Sequence, residues 1–309
     1  MDIFHIGLPR TFLGVPNAEE KARYVVLSSP YEGTVSYGTG TKKGPAAIIE
    51  ASRQVETYDI ETARDFAECG IYTADELEVS HSSPEKNCEY VQEAVEAVLA
   101  EGKVPILLGG EHSVSVGAFN AIAAHMGTKA KDVSVLHLDA HADMRDEYEG
   151  TACNHACAMR RCREKLHAVS VGIRSYSLEE AQEMEKLQTT FPEVESAGAV
   201  PTKIKRQKCD IFGAEFDESD VMKKLRKDVY ISIDLDVFDP SECPGVGTPE
   251  PGGMRWKQTI SLLKKVCENR RVIGFDVVEL APIPGQHVSD FLAARLIYKL
   301  ICYIEANRK

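Results

Sequence analysis

Short apolar segments alternate with helical patterns along the whole chain, and this alternation constrains the fold more than any other feature. The segments resemble strands buried between helices in a parallel sheet. They lie at Tyr24–Leu27, Val104–Leu108, Val133–Leu138, Val169–Ile173, Tyr230–Ile233 and Val272–Val278. Helical segments are predicted at 45–52, 84–100, 115–125, 156–165, 178–188, 256–266 and after a cap at Ser289 or Asp290. We expect one doubly wound α/β domain over residues 1–309, with a mainly parallel sheet.

Three ionisable residues follow the third of these segments at alternate positions. They are Asp139, His141 and Asp143. In extended backbone, alternate side chains point the same way, so we expect the three groups to converge at the carboxyl end of one strand. Open α/β sheets bind their ligands at that edge. A solvated turn is the alternative, because Asp and His are common after strands.

Similar side chains follow three more of the predicted strands. They are His112, the pair Asp234 and Asp236, and Glu279. Since parallel strands lie side by side, all these groups would line one acidic pocket. Two histidines and four aspartates without a thiolate suit manganese, or less distinctively zinc, iron or cobalt. They are about what two ions sharing carboxylates require, whereas the same carboxylates without cations would repel one another.

Composition narrows the classes of function that remain. The formal net charge of −12 argues against nucleic-acid binding, which needs a basic face. The chain has nine cysteines and no C-x-x-C pair, which fits free thiols in a reducing cytosol. The first residues lack the pattern of a signal peptide, and no apolar run reaches the length of a membrane span. We therefore expect a cytoplasmic protein without a membrane partner.

The motifs together resemble those of the arginase and agmatinase family, the ureohydrolases. The matching segments are G-G-E-H-S at 109–113, D-A-H-A-D at 139–143, S-I-D-L-D-V-F-D-P at 232–240, and the strand before Glu279. The resemblance covers nearly the whole chain. It implies a three-layer α/β/α sandwich around an eight-stranded, mainly parallel sheet, two Mn²⁺ per chain, and a homotrimer or homohexamer.

The same resemblance assigns roles to the strand-end residues. One ion would be held by His112, Asp139, Asp143 and Asp234, and the other by Asp139, His141, Asp234 and Asp236. Two cations sharing a water would generate hydroxide near neutral pH, and Glu279 would pair with the nitrogens of a guanidinium. Asp143 would accept the hydroxide proton and pass it to the leaving amine.

Two further histidines belong to this prediction. His155 matches a second proton-transfer histidine of the family, which would also contact the substrate; a helix-start histidine with a local hydrogen bond is the alternative. His137 faces the same way as Asp139 and would support that ligand, but we favour a packed core histidine.

The substrate end of the pocket resembles one branch of the family more than the other. Arginases carry Asn and a carboxylate where this chain has Arg145 and Ser177. Instead, R-D-E-Y-E-G at 145–150, N-H-A at 154–156 and G-T-P-E-P-G-G at 247–253 resemble members that hydrolyse agmatine to putrescine and urea. We therefore expect a small cationic guanidino substrate, agmatine first.

Two departures from the family pattern leave other substrates open. Glu111 replaces a more frequent Asp, and Asn154 replaces a common Ser. Aminopropylagmatine, guanidinobutyrate and arginine are the alternatives. Two other classes fit less well: a deacetylase of related fold needs a His-His pair that the sequence lacks, and a non-catalytic relative would have lost ligands that are present here.

Overall fold

Eight parallel strands form the sheet at the centre of the computed structural model, which describes residues 8–189 and 210–308. In chain order they are β1 (Tyr24–Ser29), β4 (Ile71–Thr73), β5 (Val104–Gly109), β6 (Val133–Leu138), β7 (His167–Val171), β8 (Ile211–Phe212), β9 (Asp228–Asp234) and β10 (Arg271–Val278). The short strands β2 (Tyr58–Asp59) and β3 (Arg64–Asp65) pair separately as an antiparallel ribbon. The order in the main sheet is β4-β1-β5-β10-β9-β6-β7-β8. The predicted eight-stranded parallel sheet is confirmed.

Helices cover both faces of this sheet. They are α1 (Gly44–Ser52), α2 (Pro84–Ala100), α3 (Ser115–Met126), α4 (Ala158–Arg163), α5 (Leu178–Thr189), α6 (Glu218–Lys224), α7 (Trp256–Asn269) and α8 (Val288–Ala306). One apolar core joins α1, α6, α7 and α8 to strand residues such as Tyr24 and Val26. The other joins α2, α3, α4 and α5 to their neighbours Val25 and Leu27. Alternate strand residues therefore face opposite layers, and the three-layer sandwich is confirmed.

Local signals explain where two of these helices begin. Pro84 opens α2, and the hydroxyl of Ser83 caps it by accepting the backbone N–H of Lys86 at 3.1 Å. The predicted cap of α8 at Ser289 or Asp290 is wrong, since the helix begins one residue earlier and is preceded by His287. The Ser289 hydroxyl instead accepts the N–H of Gly245 at 2.8 Å, because the loop around Gly245 packs on this end of the helix.

The length and apolar character of the helices can be compared with the expectation that the protein has no membrane partner. Across residues 8–189 and 210–308, no helix combines the length and apolar character needed to cross a bilayer. The expectations for residues 1–7 and 190–209 lie outside the described residues.

The register of the central strands places their carboxyl ends side by side. Leu138 at the end of β6 pairs with Ile233 of β9, and Asp234 pairs with Val278 at the end of β10. On the other side of β10, Val277 pairs with Leu108 of β5. Residues that follow these four strands therefore emerge at one edge of the sheet, as the sequence predicted.

Candidate metal centre and substrate pocket

The loop after β6 brings its three ionisable side chains to the sheet edge, although not by the route expected. The strand ends at Leu138, and Asp143 has a φ of 51°, in the left-handed region that non-glycine residues rarely adopt. The prediction that extended backbone would align Asp139, His141 and Asp143 is therefore wrong. The chain turns between them, so that Asp139 and Asp143 face His112 while His141 faces Asp236.

The imidazole of His112 lies among three carboxylates. Its Nδ1 atom is 3.2 Å from Asp139 Oδ2, 3.0 Å from Asp143 Oδ2 and 3.4 Å from Asp234 Oδ2. This nitrogen is buried and makes no hydrogen bond of acceptable geometry to any described residue. A buried nitrogen with no hydrogen bond, surrounded by carboxylate oxygens, suits a divalent cation that takes nitrogen and oxygen ligands.

A second group of candidate ligands adjoins the first. His141 Nδ1 lies 2.8 Å from Asp236 Oδ2 and 3.6 Å from Asp139 Oδ1. Asp139 therefore contributes to both groups, and ligand atoms of Asp139, His141 and Asp236 lie close enough to hold an ion. The residues brought together fit the pair of ions that the sequence resemblance implies.

Asp234 and Asp236 also reach the site by an unexpected route. Strand β9 ends at Asp234, and residues 235–237 form a 3-10 turn in which Asp234 Oδ1 accepts the N–H of Asp236 at 2.9 Å. The prediction that both would share a strand face is therefore wrong, but both line the pocket. Asp239 is a turn former, as expected, because its carboxylate accepts the N–H of Ser241.

Crowding and burial shift the pKa values of these groups. Burial, then the charge of Asp139, raises the pKa of Asp143 to about 7, and burial with Asp236 raises the pKa of Asp234. Burial lowers the pKa of His141, but the carboxylates of Asp236 and Asp139 outweigh it and raise the value to about 12. Without cations the cluster thus holds protons, which divalent ions would displace.

Hydrogen bonds behind the ligands fix their orientation. His112 Nε2 lies 3.1 Å from the Ser232 hydroxyl, which donates to the buried Asp276 at 2.7 Å. This contact leaves Nδ1 directed at the carboxylates. His137 Nε2 lies 2.7 Å from Asp139 Oδ2, with both side chains fully buried. His137 is therefore a packed core histidine, as we favoured, and it also supports the ligand Asp139, as the alternative expected.

A pocket of about 340 Å³ opens above the carboxylate cluster. Glu279 lines this pocket and is buried, with a φ of 65°. The N–H of His112 donates to its Oε1 at 2.6 Å, and Oε2 lies beside Gly247. Burial, then the charge of Glu111, raises the pKa of Glu279 well above its usual value. A cation bound next to Glu279 would keep the carboxylate ionised.

His155 lines the same pocket at the start of a 3-10 turn. Its Nδ1 lies 3.3 Å from the Thr34 hydroxyl, and its Nε2 is 3.5 Å from that of Ser36. Burial lowers the pKa of its imidazole, which favours the neutral form at pH 7. His155 therefore begins a helical turn, as the alternative prediction expected, and it also lines the pocket.

The two departures from the family pattern lie outside the pocket lining. Glu111 is fully buried and accepts the N–H groups of Gly33 and Thr34 at 2.7 and 2.6 Å. Asn154 is also buried, and its side chain caps the turn by accepting the N–H of Ala156 at 3.0 Å. Both residues fix loops that border the pocket through these hydrogen bonds. Neither substitution therefore changes a side chain that would contact the substrate directly.

Sequence reasoning missed one acidic residue of the pocket. Glu180 in α5 is buried and lines the pocket beside Arg145 and Ser177, which the sequence had placed there. Its carboxylate accepts the N–H of Met144 at 3.0 Å and that of Ser177 at 2.8 Å. The sequence gave no sign of this role, because Glu180 lies in a Glu-rich helical segment typical of a protein surface. Its side chain faces the pocket only because α5 packs against the loop at Met144.

The protein is an α/β sandwich in which two adjoining groups of candidate metal ligands lie at the carboxyl edge of the sheet. The model of the arginase family matches residues 22–302, and the chain belongs to this family. It is accordingly a ureohydrolase, a class of hydrolases that cleave C–N bonds of guanidino compounds. The family resemblance noted in the sequence is confirmed.

Named relatives cover almost the whole chain. The N(1)-aminopropylagmatine ureohydrolase of Synechocystis sp. is 36% identical, over 93% of this chain and 91% of that protein. The agmatinase of Halalkalibacterium halodurans is 33% identical, over 85% of each chain. The crystal structure of agmatine ureohydrolase of Thermoplasma volcanium superposes with a TM-score of 0.80 at 32% identity, covering 97% of this chain and 96% of the other.

Proposed function

We propose that the protein is a binuclear-manganese hydrolase that cleaves the guanidinium group of agmatine to putrescine and urea. The observation that carries this proposal is the position of Glu279, whose buried carboxylate lines the pocket together with the candidate ligands His112, Asp234 and Asp236. A guanidinium is the cation that best matches a carboxylate in such a confined site, because it donates two parallel N–H groups.

The proposed division of ligands follows the two groups of side chains. His112, Asp139, Asp143 and Asp234 would hold one ion; Asp139, His141, Asp234 and Asp236 would hold the other. When bound, the two ions would supply a nucleophilic hydroxide at neutral pH by lowering the pKa of a shared water. The chemistry of the donor set, carboxylate oxygen with imidazole nitrogen, suits manganese.

The residues of the chain then have separate tasks in the hydrolysis. Glu279 would orient the guanidinium carbon, which is a poor electrophile because its charge is delocalised. Asp143 would take the proton released as the C–O bond forms and deliver it to the nitrogen whose bond to carbon breaks. His155 would contact the substrate and exchange a proton between the leaving amine and solvent.

N(1)-aminopropylagmatine is the second candidate substrate, and a specific observation favours it. Several relatives that are 34 to 36% identical to this chain carry the name of that activity, whereas those named agmatinase are 32 to 33% identical. The pocket of about 340 Å³ has room for either amine. The buried Glu180 adds negative charge to the pocket wall, which suits a polycationic substrate in both cases.

A urea-release assay tests this proposal. The manganese-loaded protein would be given agmatine, N(1)-aminopropylagmatine, guanidinobutyrate and arginine, with kcat/KM measured for each. We expect agmatine to give the highest value and arginine a value at least about 10²-fold lower, since its carboxylate meets an acidic pocket. A higher value for N(1)-aminopropylagmatine would establish the second candidate, and a preference for arginine would contradict both.

Assembly and location belong to the same proposal. We expect a homotrimer or homohexamer, as the family resemblance implies, and a cytoplasmic location, as the free cysteines indicate. Light scattering of the purified protein measures the assembly directly.

A further inference from the structure

Two cysteines meet where the loop that carries His155 contacts helix α2. Cys88 lies in the second turn of α2 and is buried, and Cys153 lies two residues before His155 and is half-buried. Cys153 packs against the small apolar cluster of Cys88, Val116 and Ala158, where its thiol lies close enough to that of Cys88 for the two to interact. Neither cysteine has a part in the hydrolysis described above.

Hydrogen bonds next to each of the two cysteines strengthen the contact between the loop and α2. The Thr151 hydroxyl donates to Glu85 in the first turn of α2 at 2.5 Å, and the N–H of Cys153 donates to Thr151 at 3.0 Å. The thiol of Cys88 donates to the carbonyl of Ser113, next to the candidate ligand His112, at 3.4 Å. The loop is thus held against α2 at the position of the two cysteines.

The reactivity of the two partly exposed cysteines differs. The adjacent Cys88 thiol lowers the pKa of Cys153, whereas burial raises the pKa of the half-buried Cys69 to about 12. A thiolate is the nucleophile in thiol–disulfide exchange, so Cys153 is the more reactive of the two.

We propose that Cys88 and Cys153 form a redox-responsive modification site, in which a low-molecular-weight disulfide converts the two thiols into an intramolecular disulfide. The Cys153 thiolate attacks one sulfur of the small disulfide, whose S–S bond breaks and releases one thiol. The Cys88 thiol then loses its proton and attacks the Cys153 sulfur, which releases the second thiol. Two protein thiols are oxidised, and the small disulfide is reduced to two thiols.

Closing this bond moves the loop. The sulfurs of a disulfide are about 2.05 Å apart, well inside the non-bonded contact of two sulfur atoms, so the two thiols must approach by more than about 1 Å. The shift falls on the loop, because Cys88 is fixed within a helix and Cys153 is not. A misplacement of about 1 Å near a catalytic group can lower a rate by about 10²-fold. We expect the disulfide to lower kcat at least about 10-fold by displacing His155, an effect that rests on the proposed function.

The experiment combines peptide mapping with the urea assay. The manganese-loaded protein is equilibrated with oxidised glutathione, free thiols are alkylated, and the digest is examined for a peptide linking Cys88 to Cys153. We expect the linked peptide, a parallel decrease in kcat, and recovery of both after dithiothreitol. The mapping result does not depend on any guanidino substrate, so it separates this inference from the proposed function.

Three variants complete the test. Cys153→Ser should lose the linked peptide and the sensitivity to oxidised glutathione, and Cys88→Ser should retain only a mixed disulfide at Cys153. Cys69→Ser is the matched control and should respond as the unsubstituted protein does. Absence of the linked peptide from the oxidised protein, or an equal loss of activity in Cys153→Ser, would overturn the inference.

Discussion

The floor and the rim of the pocket differ in what holds them in place. The floor consists of the candidate metal ligands and Glu279. Its buried members His112, Asp139, Asp234, Asp236 and Glu279 each lie at the last residue of a strand of the central sheet or within three residues after it. The rim consists of the loops 35–38, 145–154 and 175–177, where Tyr37 is 82% exposed and Tyr176 is 50% exposed. The sheet register fixes the floor, whereas only loop contacts fix the rim. We infer that the floor determines the chemistry and the rim the choice of substrate.

The largest effect is expected from a change at the floor that removes a shared ligand. Asp139→Asn keeps an acceptor for the N–H of His141, which donates to Oδ1 at 2.5 Å, but loses the charge that both groups of ligands share. We expect metal content to fall and kcat to decrease by about 10³-fold or more, measured by elemental analysis and urea release.

Asp239→Asn is the matched control for that variant. Asp239 belongs to the same sequence motif as Asp234 and Asp236, but its carboxylate holds two turns by accepting the N–H groups of Ser241, Gly252 and Gly253. Its metal content and activity should stay close to those of the unsubstituted protein. Equal losses in both variants would mean that the motif is needed for folding rather than for binding ions.

The second effect concerns the part of the floor that would hold substrate rather than metal. Glu279→Gln retains an oxygen for the N–H of His112 but cannot pair with a guanidinium as an anion. We expect kcat/KM to fall by about 10² to 10³-fold with metal content unchanged, because a buried charge-assisted contact is lost. A variant with unchanged kcat/KM would remove Glu279 from substrate binding.

His155 lies between floor and rim, and its substitution should have an intermediate effect. His155→Ala is expected to lower kcat by about 10²-fold and to leave metal content unchanged, because a proton-transfer group is lost while the ligands stay. His125→Ala, an exposed histidine in the last turn of α3, is the control. Loss of metal in His155→Ala would show that its role is structural.

The smallest effect is expected at the rim. The guanidinium of Arg145 lies over the ring of Tyr148, 4.6 Å from its centroid, and both residues line the pocket. Arg145→Lys keeps the charge but weakens this contact by about 0.5–1 kcal/mol. We expect KM for agmatine to change by about 2 to 5-fold with kcat unchanged. A large decrease in kcat would show that this part of the rim takes part in the chemistry.

The same contrast explains what the sequence predicts and what it does not. The strands were predictable because a strand buried on both faces is apolar along its length, as in Val133–Leu138. Ionisable residues that follow such strands indicated the floor. The backbone route to the floor was not predictable, since the left-handed turn at Asp143 and the 3-10 turn after Asp234 have no periodic signal.

The rim and its supports were predictable only in part. Arg145 and Ser177 were placed correctly because they align with family motifs. Glu180 was missed because its inward orientation depends on how α5 packs against the loop at Met144. The contact between His137 and Asp139 depends on a strand register and on side-chain packing, neither of which a single sequence states.

Anomalous diffraction from crystals grown with Mn²⁺ tests the central claim most directly. The account predicts two manganese peaks per chain at the floor of the pocket, with His112 at one ion, His141 at the other and Asp139 at both. A single peak, or manganese bound away from these side chains, would contradict it.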